Sequence, residues 1–221
     1  MSAKHPTRRS PKKTLRRGRR PKEGRPQEIL AAAFEEFAAN GYAATRIEDV
    51  AMRGGFAKGT IYLYFKDKDG LFRAVVRSVI QPVFEKLAPF VAEFPGSAEE
   101  LLCELLARHY DHVVSNEKAR AILRLLIAES GKFPQLAEVL HREIIDPGVS
   151  ALRAVLTKGE ASGEFRRSKV KNFPQIVVAP GVLATLWRLV FGERNQLNLH
   201  AYMTAHMELV LHGLRKRGEH S

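Results

Sequence analysis

From residue 25 onward the hydrophobic positions recur every three or four residues, and no stretch shows the apolar–polar alternation of a half-buried strand. The spacing predicts an all-α chain. The first helix opens at Pro26, which suits a first turn, and places Ile29, Leu30, Ala33, Phe34 and Phe37 on one face. Asn40-Gly41 ends it as a C-cap pair. A second, short helix is expected from Thr45, with Glu48 completing a capping box; it turns Ile47, Val50 and Ala51 inward and stops at Gly54-Gly55. A third runs from near Lys58 to near Phe65. Asp67 then caps a longer fourth through Leu71, Phe72, Val75, Val76, Val79 and Phe84, with a kink expected at Pro82.

Beyond Pro95-Gly96 the helices lengthen. Ser97 and Glu100 form a capping box that opens a helix to about Ser115, and Asn116 caps the next, to about Ser130. Phe133-Pro134 starts a segment to about Ala161, interrupted at Pro147-Gly148. After the polar connection ASGEFRRSKVKN come two apolar helices, roughly 173–192 and 198–216. The expected architecture is an N-terminal three-helix helix-turn-helix domain joined to a larger helical bundle, about nine helices in total. Its divisions are a basic arm at 1–24, the N-terminal helical domain at 25–72 and the larger helical domain at 73–221.

Charge changes this picture at one end only. The 221 residues carry a net charge of +12. Residues 1–25 hold eleven Lys/Arg and one acid, leaving 25 basic and 23 acidic residues for the rest. So basic an arm, with so little apolar surface, cannot fold alone. It lacks the apolar run of a secretory signal. The longest uncharged apolar stretch, roughly 175–187, is shorter than the ~20 residues a bilayer requires. The single cysteine, Cys103, excludes an intrachain disulfide. A cytoplasmic protein without membrane partners is expected. No nucleophile elbow, phosphate loop, HExxH or paired-carboxylate motif is present, so no enzyme activity and no cofactor are assigned.

The stretch GFAKGTIYLYFKDKDGLF carries the chemistry. As a helix at about 100° per residue, it puts Ile61 and Phe65 on one face and Lys58, Tyr62 and Lys66 on a neighbouring stripe, flanked by Thr60 and Tyr64. An aromatic stripe at this spacing is more often core, rimmed by solvated lysines. The capped preceding helix, the glycine turn and the basic arm favour the other reading, a helix-turn-helix whose second helix faces DNA. Lysine, threonine and tyrosine donors suit phosphates, while Gly59 lets the backbone approach base edges closely.

Residues 24–72, from the Phe-rich first helix through Asn40-Gly41-Tyr42 and Thr45 to KGTIYLYFKDKDGLF, resemble the N-terminal domain of TetR-family transcriptional regulators. The resemblance implies a homodimer that grips two half-sites of a double-stranded operator and releases it when a small molecule binds the larger domain. It places Thr45 and Arg46 against phosphate, Lys58, Gly59, Thr60, Tyr62 and Tyr64 on the recognition helix, and Lys68 against phosphate at the start of the fourth helix. Two departures stand out. Ala57 occupies a position usually held by a capping serine or threonine, a loss of about 1 kcal/mol of local helix stability. Phe56 replaces a smaller aliphatic residue in the turn.

The remaining candidates are read from composition and spacing. Arg16, Arg17, Arg19 and Arg20 lie in LRRGRRPKEGRP, similar to the Arg-Gly-Arg-Pro cores of minor-groove arms except that Arg20 interrupts the core. Charge alone would also let the arm bind DNA, without sequence preference. His109, Phe133 and Trp187 are candidate ligand-lining groups. His109 and His112 lack a carboxylate on the same face, so no metal is assigned. Leu183, Leu186, Met203 and Met207, on the last two helices, are the candidate dimer interface. The alternatives are a non-specific basic DNA-binding protein and an all-helical enzyme with a basic tail.

Overall fold

The structure is a computed structural model that describes residues 24–84, 86–192, 194 and 197–216. The N-terminal arm, with Arg16, Arg17, Arg19 and Arg20, lies outside the described residues. Helix α1 (Arg25–Ala44) carries Pro26 in its first turn and breaks at Gly41, whose φ of 78° and ψ of 171° interrupt the spiral. It is followed by α2 (Ile47–Gly54), α3 (Lys58–Tyr62) and α4 (Lys68–Phe84). Asp67 opens α4 as expected, its carboxylate accepting from Gly70 N–H at 2.7 Å.

Helix α5 (Leu87–Glu93) is an addition to the expected set. Pro89 looks like a breaker in the sequence, but it falls in the first turn, where a missing N–H has no intrahelical partner to lose. Helix α6 (Ala98–His109) begins with the capping box of Ser97 and Glu100, and a π turn at Tyr110–Val114 continues it. Helix α7 (Glu117–Glu129) is capped by Asn116. The expected 133–161 segment divides into α8 (Pro134–Leu140) and α9 (Asp146–Ser162), joined by a π turn at His141–Ile145. Pro147 cannot donate to the ladder, so the irregularity appears just before it. The polar connection is pinned by Phe165, which is buried where a Cβ on Gly159 would stand. Helices α10 (Gln175–Phe191) and α11 (Leu199–Leu214) end the described chain.

Buried residues on both sides of residue 72 pack together. One core runs from Ile29, Phe37, Val50 and Ile61 through Leu71, Phe72, Val75 and Val76 on α4 to Ile122, Leu126, Leu136 and Val139 on α7 and α8. A second joins Leu101, Leu102, Leu105 and Leu106 of α6 to Val155 and Leu156 of α9, Val177 of α10 and Leu214 of α11. Helix α1 therefore packs against α7 as well as α2 and α4, and the helix-turn-helix sits on the body through two elements. Among the described residues no helix is long and apolar enough to cross a membrane.

Candidate nucleic-acid interface

The turn between α2 and α3 is built around two glycines and a phenylalanine. Gly55, at φ 66°, closes α2 in the left-handed conformation, with Phe56 N–H donating to Ala51 O at 2.8 Å. A Cβ on Gly54 would stand 2.0 Å from the Phe56 ring, so the bulky residue in the turn is accommodated by the glycine two positions before it. The ring packs against the core under the Arg25 guanidinium, 4.9 Å from its centroid. Ala57 supplies no side-chain cap to α3.

Helix α3 presents its residues in two directions. Ile61 is fully buried, and Phe65, just past the helix end, packs against the same core. Lys58 and Gly59 are exposed, Thr60 is half-buried, and Tyr62 and Tyr64 are 46% and 39% exposed. Both rings stay outside the interior. Leu63 is 80% exposed beside them, an apolar side chain on a surface otherwise rich in donors. The helix ends at Tyr62, short of the expected Phe65, and Tyr64 and Phe65 N–H share Ile61 O at 3.0 Å in a tightened last turn.

Lys58 is not isolated. Its ammonium forms an ion pair with Glu48 of α2 and lies 5.8 Å from the Tyr62 ring centroid. The shared hydrogen bond holds the Glu48 carboxyl below its ordinary range and lifts the Lys58 ammonium above its own. Arg46 is exposed at the N-cap of α2, where Asp49, not Glu48, accepts from its backbone N–H at 3.3 Å.

Two other candidates bond to the protein's own backbone. Thr45 is 2% exposed and its hydroxyl donates to Gly41 O at 2.7 Å, so it closes the end of α1 instead of starting a capping box with Glu48. Lys68 donates to the carbonyls of Tyr42, Ala43 and Thr45 at 2.9, 3.4 and 3.2 Å, with its ammonium 4.4 Å from the Tyr42 ring centroid. Both residues hold the α1–α2 elbow. Tyr42, which the sequence marks only as part of the family motif, lies at its centre: its hydroxyl bonds Asp69, its amide bonds Glu129 and its ring meets Phe133. Burial drives the Tyr42 phenol pKa upward, and the bond to Asp69 adds to the shift. Nothing local marks Glu129, because it lies in a distant part of the sequence.

The three ligand candidates are not brought together. Phe133 packs edge-on to Tyr42 at 5.0 Å, at the seam between the helix-turn-helix and α8. Trp187 lies beside Phe191 on α10, with ring centroids 4.6 Å apart. His109 faces α10 from α6: a Cβ on Gly181 would stand 2.6 Å from its ring. Its Nε2 is buried without a hydrogen bond, and desolvation pushes its pKa down to about 4. Nearby, His206 Nε2 donates to Val177 O at 2.8 Å while its Nδ1 accepts from Tyr110 O–H at 3.0 Å. Of the dimer candidates, Leu183 and Leu186 are exposed on α10, in one stripe with Ile176 and Val190. Met203 and Met207 instead pack against clusters of their own chain.

A tight-turn pair of short helices with an outward-facing, donor-rich second helix defines a helix-turn-helix DNA-binding protein. The family profile described as "Bacterial regulatory proteins, tetR family" matches residues 29–75, and that described as "Tetracyclin repressor-like, C-terminal domain" matches residues 96–194. The chain belongs to the TetR family and is a transcriptional regulator. It is similar to the fatty acid metabolism regulator protein of Bacillus subtilis (strain 168), at 24% identity over 198 residues, covering 89% of this chain and all of that protein. The HTH-type transcriptional repressor KstR2 of Rhodococcus jostii (strain RHA1) is 29% identical over 66% of this chain and 70% of its own length. Among solved structures, the regulator FadR of Bacillus subtilis in complex with stearoyl-CoA superposes with a TM-score of 0.69 at 24% identity, covering 85% of this chain and 98% of that one. These relatives are regulators, not enzymes.

Proposed function

We propose that this regulator binds an inverted-repeat operator as a homodimer in the cytoplasm, represses from it, and releases it when a small molecule occupies the body. Helix α3 enters the major groove, with Lys58, Gly59 and Thr60 nearest the base edges and Tyr62 and Tyr64 against the backbone. Arg46 adds a phosphate contact from α2. Thr45 and Lys68 act at one remove, by fixing the elbow that carries α2. The observation that carries the reading is the division of α3, with Ile61 sealed in the core while Tyr62 and Tyr64 stay exposed beside Lys58.

The dimer face is the α10 stripe of Ile176, Leu183, Leu186 and Val190, all exposed, with Leu209 exposed on α11. One recognition helix reads too few bases for useful specificity, so two half-sites are required. One relative matched along its whole length is a fatty acid metabolism regulator, and FadR is solved with stearoyl-CoA, so a long-chain acyl-CoA is the first ligand to test.

The test is footprinting of the purified chain on the DNA flanking its own gene, with and without acyl-CoA. Protection of an inverted repeat, lifted by the ligand, supports the reading. Uniform protection along the DNA would support arm-driven, non-specific binding instead.

A further inference from the structure

We propose that Glu48 reads a base: its carboxylate accepts a hydrogen bond from the N4 amine of a cytosine in the half-site, while Lys58 donates to guanine acceptors beside it. This rests on reading α3 as the recognition helix and adds the base chemistry. Lys58 opens α3, and the first residues of a recognition helix are those that reach base edges. Glu48 stands on the preceding helix, yet its Oε1 contacts Lys58 Nζ, with both side chains about half exposed. A carboxylate is thus carried on the face that meets the duplex.

Glu48 is not the cap of α2; it stands in the first turn of that helix and its side chain is paired with Lys58. Asp49 caps α2 in its place, and Glu48 is exposed. Against phosphate a carboxylate is repelled, so its neighbours on DNA must be donors. The donors of the major groove floor are the amines of cytosine N4 and adenine N6, and acidic side chains pair with the first. Guanine offers two acceptors, O6 and N7, next to the cytosine amine of its own pair. An ammonium and a carboxylate held side by side match that order of two acceptors and one donor. Lys58 also neutralises Glu48, which lets the carboxylate enter a groove lined by phosphates.

Selection from randomised duplexes, run with the full chain as wild type, Glu48→Gln and Glu48→Ala, tests this. The wild type should select a half-site with one invariant cytosine. Glu48→Ala should lose preference at that position alone, with discrimination falling by about tenfold to a hundredfold. Glu48→Gln should move the preference there to adenine, since an amide pairs with N6 and N7. Unchanged preferences in all three proteins, with Glu48→Ala binding every duplex more tightly, would overturn the proposal and leave Glu48 as a restraint on Lys58. Adenine selected by the wild type at that position would also overturn it. A half-site altered by Lys58→Ala but not by either Glu48 variant sinks this inference alone, whereas a wild type that selects no sequence sinks the recognition-helix reading as well.

Discussion

The backbone N–H of Tyr42 donates to the side chain of Glu129 at 3.2 Å, joining the end of α1 to the end of α7. The same carboxylate oxygen would lie 2.7 Å from a Cβ on Gly41, so the close approach requires glycine there, as does the positive φ. With Phe133 on one side of Tyr42 and Lys68 on the other, the elbow that carries α2 is held by residues of both domains. The body thus contacts the helix-turn-helix through α7 and the segment leading into α8 as well as along α4.

Glu129→Ala should cost about 1 kcal/mol, the usual net contribution of a partly buried hydrogen bond. The sharper readout is amide hydrogen exchange: Tyr42 N–H should exchange faster in the variant while the amides of α9 are unaffected. Unchanged exchange at Tyr42 would show that the contact does not hold the elbow.

Acid should weaken the body through His109. Its pKa is about 4 in the fold, below an unfolded value near 6.5, so folding favours the neutral ring. Stability from this group is complete above pH 6.5, declines as the pH falls toward 4, and loses nothing further below that. The decline is on the order of 3 kcal/mol for a ring so buried. His206, also depressed by burial, adds in the same direction. Denaturant midpoints at pH 7.5 and 4.5 should differ less for His109→Gln than for the wild type. An identical pH profile would contradict the assignment.

Association and folding should separate on the last two helices. Leu183 is 54% exposed, so Leu183→Glu should leave the melting of the monomer intact and weaken dimerisation at least about tenfold, the charge being introduced twice across a twofold axis. Met207 packs inward, so Met207→Ala should cost about 2 kcal/mol of stability with little effect on the dimer constant. Sedimentation equilibrium distinguishes them; a fully dimeric Leu183→Glu would place the interface elsewhere.

Removal of residues 1–22 should weaken binding to every duplex and flatten its salt dependence, by about 0.9 in log–log slope for each phosphate that the arm no longer neutralises. Titrations over a range of salt concentrations measure both. A slope and affinity that survive the deletion would make the arm a solvated tail.

Where local chemistry decides the outcome, the sequence was readable. Ile61 and Tyr62 are adjacent, and helical geometry alone sends them to different sides; Ser97, Asn116 and Asp67 cap helices because their oxygens reach amides two or three residues on. Thr45 departs from its expected role because two sets of acceptors and donors lie within its reach, and the kink at Gly41 turns its hydroxyl back to α1. Phe133, Glu129 and Glu48 were beyond reach for another reason. Their partners Tyr42 and Lys58 are set by how distant helices dock, and no spacing rule encodes that. Met203 and Met207 are partly buried against clusters of their own chain, a contact that an apolar stripe alone does not predict.

The most direct test of the outward-facing α3 is competition binding of the Lys58→Ala, Tyr62→Ala double variant, with the selected half-site duplex against a scrambled one. Discrimination should fall by at least about a hundredfold, since specific sites are bound about 10³-fold or more tightly than random DNA. Low-salt binding through the basic arm should persist, and thermal stability should be retained because both side chains are exposed. Discrimination equal to that of the wild type would show that α3 does not read the operator.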